Sequence, residues 1–212
     1  MNSGQPATIV VVGCGCIGSF IGGRIALEIS RESPTLEPAV CFLVNSTGRG
    51  DAFKQAALRN GGVTLCSGFG RKFVGFSKNL VITSDPAEAL AGAAVILCAT
   101  KRGANKNVSE LLAAHAPPNA TVLLFQNGLD APSDFHVLSG FSIFQVVTTF
   151  NVVRAQDKAA MFVLTSPTPK LTLGKDAETA AEAAAPGIVR FYSCLREPYH
   201  CIYRLTSKFR VF

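Results

Sequence analysis

Residues 7–30 read ATIVVVGCGCIGSFIGGRIALEIS, and the fold turns on how this stretch is understood. Ile9, Val10, Val11 and Val12 form a short β-branched run of the kind used by a strand buried on both faces. From Cys16 to Ser30 the apolar residues Ile17, Phe20, Ile21, Ile25, Ala26 and Ile29 recur at helical spacing. Between the two lie Gly13, Gly15 and Gly18, the pattern G-x-G-x-x-G. That pattern is common by chance and gains specificity only between a strand and a helix, which is where it falls here. Gly13 would allow a tight turn, Gly15 would let a pyrophosphate approach the backbone, and Gly18 would let the helix pack close to the strand. The segment Gly13, Cys14, Gly15, Cys16, Ile17 and Gly18 would then offer free N–H groups and the positive end of a helix dipole to phosphates. The alternative is a turn that serves the fold alone.

Outward from this unit, strands and helices alternate. AVCFLV (39–44) reads as a second strand and DAFKQAALRNGG (51–62) as a helix ending on glycine. VTLC, KFVGF and NLVIT, within residues 63–83, read as a β-rich insertion. A helix follows in SDPAEALAG, with Ser84 as N-cap and Pro86 in the first turn. AAVILCAT (93–100) is a buried strand, NVSELLAAHA a helix, and ATVLLFQNG (120–128) and FSIFQVVTTF (141–150) further strands. MFVLTS and KLTLG (161–174) suggest a late hairpin, and DAETAAEAAA (176–185) starts a helix that Pro186-Gly187 interrupts. Such alternation predicts an α/β fold: a Rossmann-type, doubly wound, mostly parallel sheet with helices on both faces.

Composition narrows the class. Hydrophobic residues are 48% and charged residues 16% of the 212, so the chain is globular and rather apolar. No apolar run reaches the length of a membrane span, and no basic stretch precedes the apolar start, so neither anchor nor signal peptide is read. The seven cysteines, at 14, 16, 41, 66, 98, 194 and 201, contain no C-x-x-C and no Cys/His cluster at metal-ligand spacing. They point to reduced thiols of a cytoplasmic protein and to no metal. After Pro186, Arg190, Arg196, Arg204, Lys208 and Arg210 face Glu197 alone and carry most of the net charge of +6. The same tail holds all three tyrosines, but no nucleic-acid motif accompanies this mixture and no nucleic-acid partner is expected.

The end of the second strand bears on which nicotinamide cofactor is bound. An NAD site places Asp or Glu there for the ribose hydroxyls, whereas an NADP site omits the acid and supplies Arg. Here NSTGRG offers Asn45, Ser46, Thr47 and Arg49 with no acid before Asp51, which favours NADP (NADPH). Arg49 as an ordinary solvated loop charge is the competing view. Two further strand ends carry polar residues: Thr100-Lys101 after VILCA, and Gln126-Asn127-Gly128 after TVLLF.

Taken in order with the glycine loop and RGDAFKQAALRNGG from Arg49 to Gly62, these motifs resemble ketopantoate reductases (2-dehydropantoate 2-reductases). The resemblance covers about residues 7–175, including TTFNVVRAQ and the closing KLTLG strand. It implies reduction of a 2-keto acid by NADPH in pantothenate and coenzyme A synthesis. It assigns residues 13–18 to the pyrophosphate, Arg49 to the 2′-phosphate, Lys101 to the cofactor's side, and Asn127 to the cleft between cofactor and substrate. Val153, to within one residue, matches a position whose backbone meets the nicotinamide. A surface Lys and a turn-forming Asn-Gly pair remain the alternatives for residues 101 and 127.

In the family a helical domain follows and supplies a catalytic Lys. Residues 1–175 would be the NADP domain and 176–212 the start of a truncated or divergent helical domain. The family opens that domain on W-x-K-L-x-x-N, whereas YHCIYRLTSKFRVF (199–212) contains no Trp. By distance from KLTLG, Lys208 is the candidate for that Lys. The sequence leaves open a cofactor-binding module without activity, a related dehydrogenase with another substrate, and the oligomeric state.

Overall fold

The computed structural model describes residues 8–32, 40–67, 70–76, 80–127, 131–155, 160–165 and 171–184. Strand β1 (Thr8–Val12) leads through the glycine turn into α1 (Cys16–Glu32). Then come β2 (Val40–Leu43), α2 (Gly48–Asn60), β3 (Gly62–Ser67), β4 (Gly70–Gly75), β5 (Leu80–Thr83) and the short α3 (Pro86–Leu90). Next are β6 (Ala93–Cys98), α4 (Asn105–His115), β7 (Thr121–Leu124) and β8 (Ser142–Thr148). β9 (Val152–Arg154), β10 (Met161–Leu164), β11 (Leu171–Leu173) and α5 (Lys175–Ala184) follow.

Seven strands form the main sheet in the order β11-β8-β7-β6-β1-β2-β5. Every neighbouring pair is parallel except β11 against β8. The chain runs outward from β1 to β2 and β5, then returns to β6 and runs the other way through β7 and β8. This is the doubly wound order, with its reversal between β1 and β6.

Strand alternation sorts the core into two layers. Ile9 and Val11 face Phe20, Ile21 and Ile25 of α1 and Phe53 of α2, and Ala177 and Ala181 of α5 are buried in the same layer. Val10 and Val12 face the opposite way, toward Leu90 of α3 and Val108 and Leu112 of α4. The continuous apolar runs of β1, β6 and β7 follow from this burial on both faces.

Four strands form a second sheet in the order β4-β3-β10-β9, with β10 parallel to β3. Its inner residues Val63, Leu65, Val74 and Phe162 enter the layer that holds α1. Phe53 stands edge-on to both Phe42 of β2 and Phe162 of β10, each at 5.7 Å between ring centroids, so an aromatic chain links the two sheets.

Several local expectations change. LVIT is not part of the insertion: β5 is an edge strand of the main sheet, paired with β2. MFVLTS and KLTLG form no hairpin, because β10 joins the second sheet while β11 pairs with β8. VVR, within TTFNVVRAQ and assigned no element from the sequence, is strand β9. The N-cap of α3 is Asp85, whose side chain accepts from the N–H of Ala87 at 2.9 Å and of Glu88 at 3.4 Å. Ser84 instead accepts from Lys54 Nζ at 3.1 Å. Helix α2 starts at Gly48, so Arg49 stands in a first helical turn and not in a loop.

Candidate functional site

The carboxyl ends of β2, β1, β6 and β7 lie side by side along one edge of the main sheet. Three strand spacings, about 14 Å, separate the outer two. The reversal of strand order opens a crevice at this edge, where such sheets bind ligands. Every polar strand end singled out in the sequence, apart from the β9 segment, falls on this row.

The glycine loop is at its centre. Gly13 has φ +94°, a conformation that side chains disfavour, and a Cβ there would lie 2.6 Å from the Thr100 nitrogen and 2.7 Å from the Ala99 carbonyl carbon. The β1 loop therefore nests against the β6 loop. At Gly18 a Cβ would strike the Gly13 carbonyl oxygen and lie 3.0 Å from Ala99 Cβ, so its absence lets α1 start close to the strand. Gly15 differs from both. It is exposed, and an added Cβ would meet nothing within 4 Å. No contact within the described chain requires glycine at this position. A ligand lying against the backbone would require it, and the cradle above the start of α1 is the space that a side chain there would fill.

The first turn of α1 contains no acidic residue, so no carboxylate of its own offsets the positive end of the dipole. A helix leaves its first N–H groups without intrahelical acceptors, and here those are the groups of Cys16, Ile17 and Gly18. Cys14 Sγ contacts the carbonyl oxygens of Leu43 at 3.5 Å and Val11 at 3.7 Å, which ties the loop to the ends of β1 and β2. Burial pushes the Cys14 thiol well above its ordinary pKa. Burial also pushes Cys41 on β2 up to about 12, and raises Cys98 on β6. These three thiols stay protonated at neutral pH. The loop and helix start fit a pyrophosphate.

At the end of β2, Asn45, Ser46, Thr47 and Arg49 are all exposed. A Cβ on Gly50 would lie 2.7 Å from the Asn45 carbonyl oxygen, so the first turn of α2 folds back on the strand end. Arg49 thus stands just after the end of β2, on the side of the glycine loop away from β6.

On the other side, the β6 and β7 ends are joined by buried side chains. Gln126 Nε2 donates to Thr100 Oγ1 at 3.2 Å. Asn105 Nδ2, from the first turn of α4, donates to Gln126 Oε1 at 2.9 Å and to Asp134 Oδ2 at 2.8 Å. Arg102 donates to the same carboxylate from Nε at 2.9 Å and from Nη2 at 3.2 Å. These bonds from Arg102, then from Asn105, hold the Asp134 carboxyl below its ordinary pKa. Gln145 of β8 donates from Nε2 to the carbonyl oxygens of Gln126 and Leu124.

Lys101 and Asn127 emerge directly beside this network, each exposed, one residue beyond Thr100 and Gln126. Val153 lies on β9 of the second sheet, exposed and paired opposite Val163. Its neighbour Arg154 has Cζ 5.7 Å from the centre of the Phe162 ring. Lys208 and the basic, aromatic tail lie outside the described residues. Among the described residues no group of His, Cys, Asp or Glu is arranged to hold a metal ion, and no helix is long and apolar enough to cross a membrane. Sequence reasoning passed over Asn105, Asp134 and Gln145. The available signal was a lone amide inside the apolar run FSIFQVV and an Asn at a helix start in helical register with Val108 and Leu112.

The family model for ketopantoate reductase PanE/ApbA matches residues 9–175. No curated protein sequence matches the chain. Among solved structures, a PanE/ApbA family ketopantoate reductase from Ralstonia eutropha superposes with a TM-score of 0.63 at 18% identity, covering 84% of this chain and 54% of that one. A 2-dehydropantoate 2-reductase from Geobacter metallireducens gives 0.61 at 20% identity, covering 84% and 55%. An octopine dehydrogenase solved with NADH and agmatine gives 0.60 at 16% identity, covering 85% and 47%. The chain spans about half the length of these three solved structures.

Proposed function

The chain belongs to the ketopantoate reductase family, and from that premise we propose that it binds NADPH and reduces the keto group of a 2-keto acid. The substrate is 2-dehydropantoate, reduced to pantoate in pantothenate and coenzyme A synthesis. The observation that carries the reading is Gly15, a glycine that neither φ nor internal packing requires, set over the start of α1.

In this reading the loop of residues 13–18 receives the pyrophosphate, chiefly on the free N–H groups of Cys16, Ile17 and Gly18 at the start of α1. Arg49 pairs with the 2′-phosphate, a role supported by the acid-free end of β2. Lys101 supplies a compact cation beside the cofactor, and the backbone at Val153 faces the nicotinamide. When bound, NADPH supplies the hydride for the keto carbon. Asn127 offers the substrate one donor and one acceptor, enough to orient a keto acid's oxygens. Lys208 gives the ketone oxygen its proton as negative charge develops there. Residues 1–175 serve as the cofactor domain and 176–212 open a helical domain whose first helix docks through Ala177 and Ala181. The protein is cytoplasmic in this scheme, with a small-molecule substrate and no nucleic-acid or membrane partner.

Purified chain is expected to bind NADPH in a calorimeter and to oxidise it when ketopantoate is added. Binding without turnover would identify a cofactor-binding module instead, and no binding would overturn the proposal. The likeness to octopine dehydrogenase favours one second reading, a related dehydrogenase acting on another keto acid or imine. Turnover with pyruvate and an amine, but not with ketopantoate, would select it.

A further inference from the structure

We propose that Asn105 and Gln126 are positioning residues, a closed pair of side-chain amides beneath the crevice that holds Lys101 and Asn127 in register with each other. The inference rests on the NADPH reading above.

The two amides bond reciprocally. Asn105 Nδ2 donates to Gln126 Oε1, and Gln126 Nε2 donates to Asn105 Oδ1. Asn105 is 2% exposed and Gln126 6%. Each NH2 has a second hydrogen, and both are used: Asn105 donates to Asp134 and Gln126 to Thr100. All four donor positions and both amide oxygens are therefore satisfied inside the fold. The Gln126 backbone is pinned as well, since its carbonyl accepts from Gln145 Nε2.

The connectivity is what points to positioning. Asn105 begins α4, Thr100 ends the β6 segment, Gln126 ends the β7 segment, Asp134 lies in the 3-10 segment before β8, and Gln145 is in β8 itself. One amide pair thus couples two successive strand ends, and each carries an exposed polar residue one position further on, at Lys101 and Asn127. Stability alone would not need this arrangement, because replacing both members of a buried polar pair by apolar groups of similar shape is close to neutral. A satisfied buried network instead makes one arrangement of the surrounding loops unique.

The test uses the full chain, calorimetric titration with NADPH, and thermal unfolding measured in parallel. Asn105→Leu combined with Gln126→Leu is expected to keep a cooperative melt while weakening NADPH binding about tenfold, the scale of loss from small misplacement of binding groups. Lys101→Ala should then weaken binding less in that background than in the wild type, since a misplaced Lys101 has less to lose. The exchanged pair Asn105→Gln with Gln126→Asn, which keeps both amides, should bind within a few-fold of wild type. If the leucine pair does not fold, Thr100→Val removes the acceptor that ties Gln126 to the β6 end, together with the weak contact to Cys98 Sγ on the same strand, and a few-fold loss of affinity at a nearly unchanged melting temperature is expected. Wild-type binding of NADPH that neither the leucine pair nor Thr100→Val alters would overturn the positioning role and leave the NADPH reading standing. A wild-type chain that binds no NADPH would overturn both.

Discussion

The two flanks of the crevice are built by opposite means. On the β1 side the surface is shaped by absent atoms: Gly13 and Gly18 let backbone meet backbone, and Gly15 leaves a cradle. On the β6–β8 side it is shaped by side chains in matched hydrogen bonds that run from buried Asn105 and Gln126 through Thr100 and Asp134 to exposed Arg102. The first construction is written in six consecutive residues, 13–18, even though Gly13 meets the β6 loop. The second joins residues 21 to 32 positions apart. The lesson is that a binding edge can combine a part that any reader of the motif sees with a part visible only once the chain is folded.

Substitutions can separate these two constructions. The largest effect is expected at Gly15→Val, where nothing in the described chain is displaced. NADPH affinity should fall about a hundredfold or more, as the loss of two charge-assisted contacts implies, while the melting temperature stays put. A melting temperature that falls along with affinity would show that the cradle serves the fold. Next comes Arg49→Ala, expected to weaken NADPH about tenfold or more and NADH hardly at all, measured by titration with each. Equal losses for both nucleotides would remove the 2′-phosphate from its role.

Gly18→Val reverses the Gly15 pattern. Its side chain must displace the Gly13 carbonyl, and overpacking of this kind is expected to destabilise the chain by about 1–3 kcal/mol, read from urea unfolding. The smallest effect belongs to the opposite flank. The Asp134 carboxyl has a lowered pKa in the folded chain, so its stabilising contribution is present above the usual carboxylate range near about 4 and is lost as pH falls through the folded value. The wild type should therefore unfold at slightly higher urea than Asp134→Asn at pH 7, with the difference vanishing near pH 3. A difference that persists in acid would deny the carboxylate that role.

Legibility followed the same division between local and distant. β1, β2, β6 and β7 were readable because each is a continuous apolar or β-branched run, and burial on both faces leaves that mark; β8, mostly half-buried, was readable from the apolar residues on either side of Gln145. LVIT was misplaced because three apolar residues and a Thr do not say which strand they will pair with. β10 and β11 were read as one hairpin because they are neighbours in sequence, yet they pair with β3 and β8 in different sheets. The start of α2 was set three residues late, since Gly48 and Gly50 disguise a helical first turn. The glycine loop, Arg49, Lys101 and Asn127 were legible as polar or glycine residues at strand ends. The amide pair was not, because an Asn in a helix and a Gln after a strand acquire meaning only from each other.

The pairing of β10 with β3 also sets an order of events during synthesis. Thr64 and its partner Met161 are nearly a hundred residues apart, so the β3–β4 hairpin leaves the ribosome with one long edge of β3 unpaired. At about 5–20 residues per second, that edge waits roughly 5–20 s for its partner strand to emerge. Such an edge is open to pairing with other chains. The second sheet is therefore where misassembly of the nascent protein is expected to begin, and where chaperone demand should concentrate.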